Sequence, residues 1–297
     1  MRAVWSFWSR PYEARSGWPW CRPVHHLLAW GLSLAAARRH YPETMLVTDG
    51  AGKKLLVDQL GLSFSEVSTE LERLDRADPA WWALGKLAAY SIQDRPFLHI
   101  DADAFLWKRL PQEIEQAPVF AQCPEFHPTW DRSSRDIDQA FSRFQDTPLP
   151  VEWEWAASKE DAFLREENCG IVGGWRVDFL RHYASTALDL VLHPRYAAAW
   201  AQVPRKSNMA IEQFFLAACV DFHRHHPDSP YRGVRVKYLF PSWEQAMNPN
   251  VATRAGFTHL LGAAKASPAV GKRLEERVKR DDPGLFHQCE RIAGRMA

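Results

Sequence analysis

The sequence predicts an α/β fold in which a central, mainly parallel sheet is flanked by helices. Three observations predict it. Short apolar, β-branched or aromatic runs alternate with helical stretches from the first residues onward. Segments such as MLVT and FLHI read as buried strands, which suits a sheet covered on both faces. With 46% apolar and 25% charged residues, the 297-residue chain has an ordinary globular composition, which excludes disorder, collagen and coiled coil. Length alone admits two domains or one large α/β unit.

Ala3 to Trp8 reads as the first strand, followed by a loop rich in Pro, Gly and Trp. His25 to His40 reads as an apolar helix closed by Pro42, Met45 to Thr48 as a second strand, and Lys53 to Leu60 as the next helix. Asp78 is placed to cap a helix over Trp81 to Ile92, and Pro96 leads into a third strand, Phe97 to Ile100. Short strands are expected at Phe105 to Trp107 and Val119 to Gln122. The polar, proline-rich residues 124–162 are expected to form long loops around a helix at Ile137 to Gln145. Asn168 to Gly174 is a glycine-punctuated strand and turn. Arg176 to Leu192 and Met209 to Val220 read as helices, Val234 to Phe240 as an alternating strand, Phe257 to Gly262 as a strand and turn, and Val270 to Arg280 as a basic helix. The expected organisation is one domain over residues 1–265 and a helical tail over 266–297.

Lys and Arg number 37 against 36 Asp and Glu, a net charge of +1, so no global field favours nucleic acid or an anionic membrane. The five cysteines are odd in number and form no CxxC pair, so neither a disulfide framework nor a zinc knuckle is indicated. The longest apolar stretch, Leu27 to Ala37, is about half of the ~20 residues a membrane span needs. The first residues are a poor secretory signal, and the expected location is cytoplasmic.

Asp101 and Asp103 follow the strand FLHI at i and i+2, a spacing that on a strand directs both carboxylates to one side of its carboxyl end. In open α/β sheets that end is where ligands bind. Two hard oxygen donors there suit Mg²⁺ or Mn²⁺ and, through it, a diphosphate. A solvated turn after a buried strand is the plain alternative.

FLHIDADAFLW, NCGIVGG, EQFFL and HLLGAAK occur in that order. In that order they resemble the nucleotide-diphosphate-sugar glycosyltransferases of the GT-A fold, most nearly the glycogenin-like and galactosyl-transferring families. The WWALGK helix and the opening strand also resemble a bacterial set of glycosyltransferase-like proteins. The resemblance implies a metal, Mn²⁺ (or Mg²⁺), on Asp101, Asp103 and His259. It implies donor-binding contacts from Lys86, Asn168, Gly170, Gly262 and Lys265, and places Glu212 and Gln213 at the reacting centre as nucleophile, stabiliser or orienter. The nitrogen of His259 favours Mn²⁺ over Mg²⁺. The implied activity is sugar transfer with retention from a UDP-sugar to a glycan, lipid or protein acceptor. Glu212 stands where the closer families have Asp, and Ala266-Ser267-Pro268 follows Lys265 in place of Pro-Trp. A catalytically silent GT-A-fold module that binds a glycan or a partner is the alternative.

Other groups are weighed beside these. His223, His225 and His226 invite a zinc reading, but no acidic partner for them lies within the helix and Pro227 ends it, so a solvated helix end is expected. His99 with the two aspartates can seed a hydrolase metal site, yet no histidine-rich ligand set follows. Asp49 can contact a base or ribose, or serve a turn. No GxSxG elbow and no phosphate loop are present. The 14 tryptophans exceed the 7 tyrosines. Trp18, Trp20, Trp81, Trp82, Trp130, Trp153 and Trp155 fall in loops or helix starts, where flat faces can stack on an acceptor sugar or simply pack.

Overall fold

The structure is a computed structural model that describes residues 1–14, 19–128, 133–144, 146–159, 163–203 and 206–295. Among these, the strands in chain order are β1 (Arg2–Phe7), β2 (Thr44–Thr48), β3 (Glu66–Ser68), β4 (Phe97–Ile100), β5 (Ala104–Leu106), β6 (Val119–Ala121), β7 (Pro124–Pro128), β8 (Phe163–Glu167), β9 (Ile171–Gly174), β10 (Val236–Tyr238) and β11 (Phe257–His259). Seven of them form the central sheet in the order β10-β6-β9-β4-β1-β2-β3. All neighbours are parallel except β9, which runs antiparallel to both β4 and β6. The expected α/β fold, a mainly parallel sheet flanked by helices, is therefore what the chain adopts.

The period of two along β1 divides the core. Ala3, Trp5 and Phe7 face a cluster shared with the helix Pro23–Arg38 and the two C-terminal helices, Pro268–Asp281 and Pro283–Ala293. Val4 faces the opposite cluster, which includes residues of the helices Leu84–Ser91, Val177–Leu192 and Phe215–His225. The helix Pro23–Arg38 buries residues nearly all round, because the sheet lies on one side and the terminal helices on another.

Several expectations need correction. Lys53 to Leu60 is not one α-helix: Gly50–Lys53 is α-helical and Lys54–Gln59 winds more widely as a π-helical stretch. Asp78 caps a turn through Ala80 N (2.9 Å), and the helix begins only at Leu84. Residues 124–162 contain more than loops. They hold β7, which pairs with β8 in an antiparallel ribbon, and the helices Ser133–Phe141 and Val151–Ala157. The expected strand Val234 to Phe240 contracts to β10, and a second terminal helix follows the one expected.

All five cysteines are free. No helix among the described residues is long and apolar enough to cross a membrane.

Candidate metal and donor site

β4 delivers the chain to Asp101, whose N–H donates to Gly170 O (3.0 Å), and Ala104 N–H closes a turn back to Asp101 O (2.9 Å). The two aspartates thus converge through a turn and not through the pleat of a strand. β5 leaves that turn and pairs antiparallel with β11, setting His259 opposite Ala104, while Leu260 N–H donates to Asp103 O (3.0 Å). Because β9 is antiparallel, its beginning lies beside the end of β4, which brings Asn168 to Gly170 alongside Asp101.

His259 Nε2 lies 3.4 Å from Asp103 Oδ1 and 4.0 Å from Asp101 Oδ2. One ligand atom from each of Asp101, Asp103 and His259 falls within 4.8 Å of the others. The Nδ1 of His259 is 2.7 Å from Gln122 Oε1. A carbonyl oxygen there accepts the Nδ1 proton, so a neutral ring turns its Nε2 lone pair toward two carboxylates. Two carboxylates and one imidazole so placed could hold a divalent cation.

Gly170 makes this arrangement possible. A Cβ on it would stand 2.3 Å from both Gln122 Oε1 and His259 Nδ1. Gly262, at φ +48°, turns the chain in open space ahead of Lys265.

Each aspartate also has an ammonium partner. Lys86 Nζ is 2.9 Å from Asp101 Oδ1 and 2.6 Å from Glu212 Oε1, and it donates to Cys169 O (3.0 Å). Lys265 pairs with Asp103. Burial disfavours the charge on Lys86, but Asp101 and Glu212 overcome it and hold the ammonium well above its ordinary range. Burial pushes Asp101 up, with Asp103 adding to it against Lys86. Asp103 is also desolvated, yet Lys265 and His259 hold it well below the usual carboxylate range. Burial raises Glu212, with Lys86 opposing. Three carboxylates against two ammoniums leave the cluster one negative charge before His259 is counted.

Glu212 is fully buried and lies in a π-helical turn, Ala210–Phe214, whose backbone is tied by Tyr183 OH to Glu212 O (2.7 Å). Such wide turns recur at functional sites. Gln213 is also buried, and its Oε1 has no hydrogen-bond partner among the described residues. Asn168 Oδ1 accepts from Gly170 N (3.0 Å) and its amide donates to Glu125, so its side chain supports the turn. His99 is buried beneath the site, 2.9 Å from Ser6 Oγ, and is kept neutral by burial and by Lys86. Asp49 is used structurally: Ser9 N, Ser9 Oγ and Gly52 N all donate to it.

A cleft of about 290 Å³ opens over Asp101, Asp103, Lys86 and Lys265, with Trp8, Tyr12, Trp20 and Trp82 on its walls. Among the described residues, the tryptophans that face the candidate site come from the amino-terminal third. Trp153 is fully buried, edge-on to Phe214, and Trp81 packs on Trp200. Trp155 stacks on His225 beneath Lys159. Trp18 and Trp130 lie outside the described residues.

Sequence reasoning missed Gln122, which holds the ring of His259, and the acids of the β7–β8 ribbon. Glu166 is pushed up to about 7 by burial, with Glu125 and Glu212 adding and His127 opposing. Two adjacent glutamates directly ahead of NCG were the available signal. His223 was also misread: it is buried, whereas His225 and His226 are exposed.

Among solved structures the chain resembles the galactosyltransferase LgtC, crystallised in complex with donor and acceptor sugar analogs. The two are 12% identical over 93% of this chain and 94% of that one, with a TM-score of 0.44. No curated protein matches the sequence. Residues 1–292 match the family described as a family of unknown function (DUF6734), and the chain belongs to that family.

Proposed function

We propose that the chain is a metal-dependent glycosyltransferase of GT-A-like fold that takes a sugar from a nucleotide-diphosphate donor, a UDP-sugar, and passes it to a glycan, lipid or protein acceptor with retention. The observation that carries this reading is the convergence of Asp101, Asp103 and His259 at a cleft walled by aromatic rings and two lysines. The four motifs that resemble glycosyltransferases meet there in space as well as in order.

Asp101, Asp103 and His259 would hold Mn²⁺ (or Mg²⁺), which supplies Lewis-acid stabilisation of the departing diphosphate. Lys265, tied to Asp103 and following the turn at Gly262, would add positive charge where the leaving diphosphate develops negative charge. The aromatic walls suit the flat base of a nucleotide. Glu212 is sealed from solvent against Lys86, which fits an orienting role: it fixes the ammonium that in turn fixes Asp101. Gln213, next to Glu212, carries a buried carbonyl oxygen with no partner among the described residues, an acceptor that a donor hydroxyl would satisfy. Asn168 and Gly170 shape the floor of the site, Gly170 by leaving room for His259.

One observation favours a silent binding module: both aspartates already have lysine partners, so the site is largely neutralised by its own chain. A panel of nucleotide sugars with Mn²⁺, scored by UDP release and thermal shift, separates the readings. Activity predicts Mn²⁺-dependent UDP binding, lost in Asp101→Ala/Asp103→Ala, and slow donor hydrolysis by water. UDP binding without turnover of any donor supports the silent module, and unchanged binding in the double variant overturns the site itself.

A further inference from the structure

A second group of ligating side chains lies away from the donor cleft, among helices on one face of the sheet. Glu152 stands in the first turn of the helix Val151–Ala157, His182 in the helix Val177–Leu192, and His223 near the end of the helix Phe215–His225. Glu152 Oε1 is 2.7 Å from His182 Nε2 and 3.2 Å from His223 Nε2, and the two ring nitrogens are 3.2 Å apart. We propose that Glu152, His182 and His223 form a zinc site, with water as the fourth ligand, that fastens the helix Val151–Ala157 to the body of the domain.

The geometry supports a cation at the centre. Zn²⁺ binds imidazole nitrogen and carboxylate oxygen at about 2.0–2.1 Å, and tetrahedral geometry then separates ligand atoms by roughly 3.3 Å. Two of the three separations, 3.2 Å each, are close to that value, and the third, 2.7 Å, widens to it by a small rotation of the Glu152 carboxylate. Without a cation, a His223 ring that donates from Nδ1 to Ser229 turns its Nε2 lone pair toward a Glu152 carboxylate oxygen 3.2 Å away, a repulsion that a cation between them relieves. Two nitrogen donors with one oxygen favour zinc over Mg²⁺ or Ca²⁺.

The surroundings have the outer layer that metal-bound histidines need. His223 Nδ1 lies 2.7 Å from Ser229 Oγ, which also accepts Tyr231 N–H (3.0 Å). With Nδ1–H directed at Ser229, the lone pair of the neutral ring is on Nε2, facing Glu152. The ring of Tyr231 lies 5.0 Å from each imidazole and covers the pair. Glu152 and His223 are buried, while the His182 side chain is 29% exposed and leaves a side open for water. Among the described residues the ion-pair partners of Glu152 are these two imidazoles.

The test uses the full chain. Wild type, Asp101→Ala/Asp103→Ala and His182→Gln/His223→Gln are equilibrated with Zn²⁺, desalted and assayed for metal by mass spectrometry. In parallel they are loaded with Co²⁺ to read the visible absorption of a four-coordinate ion. The expected result is one zinc per chain that survives in the aspartate variant and disappears from the histidine variant, with cobalt absorption following the same pattern. That pattern is independent of the donor-site reading, which fails or stands on the aspartate variant alone.

Should the histidine variant not fold by circular dichroism, Glu152→Gln, which keeps the shape of the side chain, is expected to weaken zinc binding at least tenfold against a competing chelator. On the wild type, EDTA should lower the melting temperature and Zn²⁺, but not Mg²⁺, should restore it. No retained zinc in wild type, equal zinc in wild type and the histidine or Glu152→Gln variant, or a melting temperature indifferent to EDTA and zinc reduces the group to a hydrogen-bonded cluster and overturns the proposal.

Discussion

Gly170→Ala is a one-methyl test of the candidate metal site. The added Cβ would lie 2.3 Å from Gln122 Oε1, 2.3 Å from His259 Nδ1 and 2.4 Å from His259 Cε1, where ordinary contact begins at 3.4 Å. Both neighbours must therefore yield by about an ångström, although Gln122 is buried, the His259 side chain is only 7% exposed, and the two are bonded to each other at 2.7 Å. Overpacking of this kind costs about 1–3 kcal/mol of folding stability. The larger effect falls on the metal, because moving the group that orients a ligating histidine typically costs about 10–100-fold in affinity. Urea unfolding measures the first and a calorimetric Mn²⁺ titration the second. Gly61→Ala is the control: its φ of +74° lies in the left-handed region with nothing nearby, so the variant pays strain of about 1–2 kcal/mol without touching the site. The expected outcome is two variants of similar stability, of which Gly170→Ala alone binds Mn²⁺ poorly. A folded Gly170→Ala protein with wild-type Mn²⁺ affinity refutes the assignment of His259 as a ligand held in place by Gln122 and Gly170.

Lys86→Met leaves Asp101 and Glu212 facing each other in a buried space without their cation. The expected loss is about 3–5 kcal/mol by urea unfolding, and a loss of only about 1 kcal/mol, that of an exposed pair, contradicts the description. Glu166 has its folded value raised from 4.5 to about 7, so it favours folding while protonated, and that contribution fades as pH rises from about 4.5 through 7. Glu166→Gln should flatten the loss, gaining up to about 3 kcal/mol relative to wild type at pH 8; parallel stability curves for the two proteins would count against it. Trp153→Ala is expected to cost about 3–5 kcal/mol in thermal unfolding because the ring is fully buried. Unchanged stability with loss of turnover alone would restore Trp153 to a substrate platform.

The parts of the fold and site that could be read in the chain are those whose chemistry is local. FLHI is a largely apolar run followed at once by two acids, so β4 and the two candidate ligands come from one short window. HLLGAAK likewise carries imidazole, glycine and ammonium together. The ribbon β7–β8 was hidden because PEFHP has a proline at each end and FLREE carries three charges in five residues, which reads as loop. It is held by pairing with a distant partner, a fact no window contains. The role of Gln122 has the same origin, since its bond to His259 spans 137 positions. The histidine-glutamate triangle joins positions 30, 41 and 71 apart, so in sequence His223 reads as part of a solvated helix end. Tryptophan count signalled neither cleft nor core, because Trp82 lines the one and the adjacent Trp81 packs into the other.

The antiparallel β9 in an otherwise parallel sheet has a consequence for how the molecule matures. Asp101 needs the carbonyl of Gly170 as its backbone partner, and Asp103 meets His259 only after β11 has docked on β5. Both closures join residues remote in the chain, and such closures are slow because the entropy of the intervening loop is lost before contacts return it. A chain folded only as far as β6 thus has both acids but not His259, so the meeting of His259 with Asp103 is a late event in folding and reports that β11 has docked.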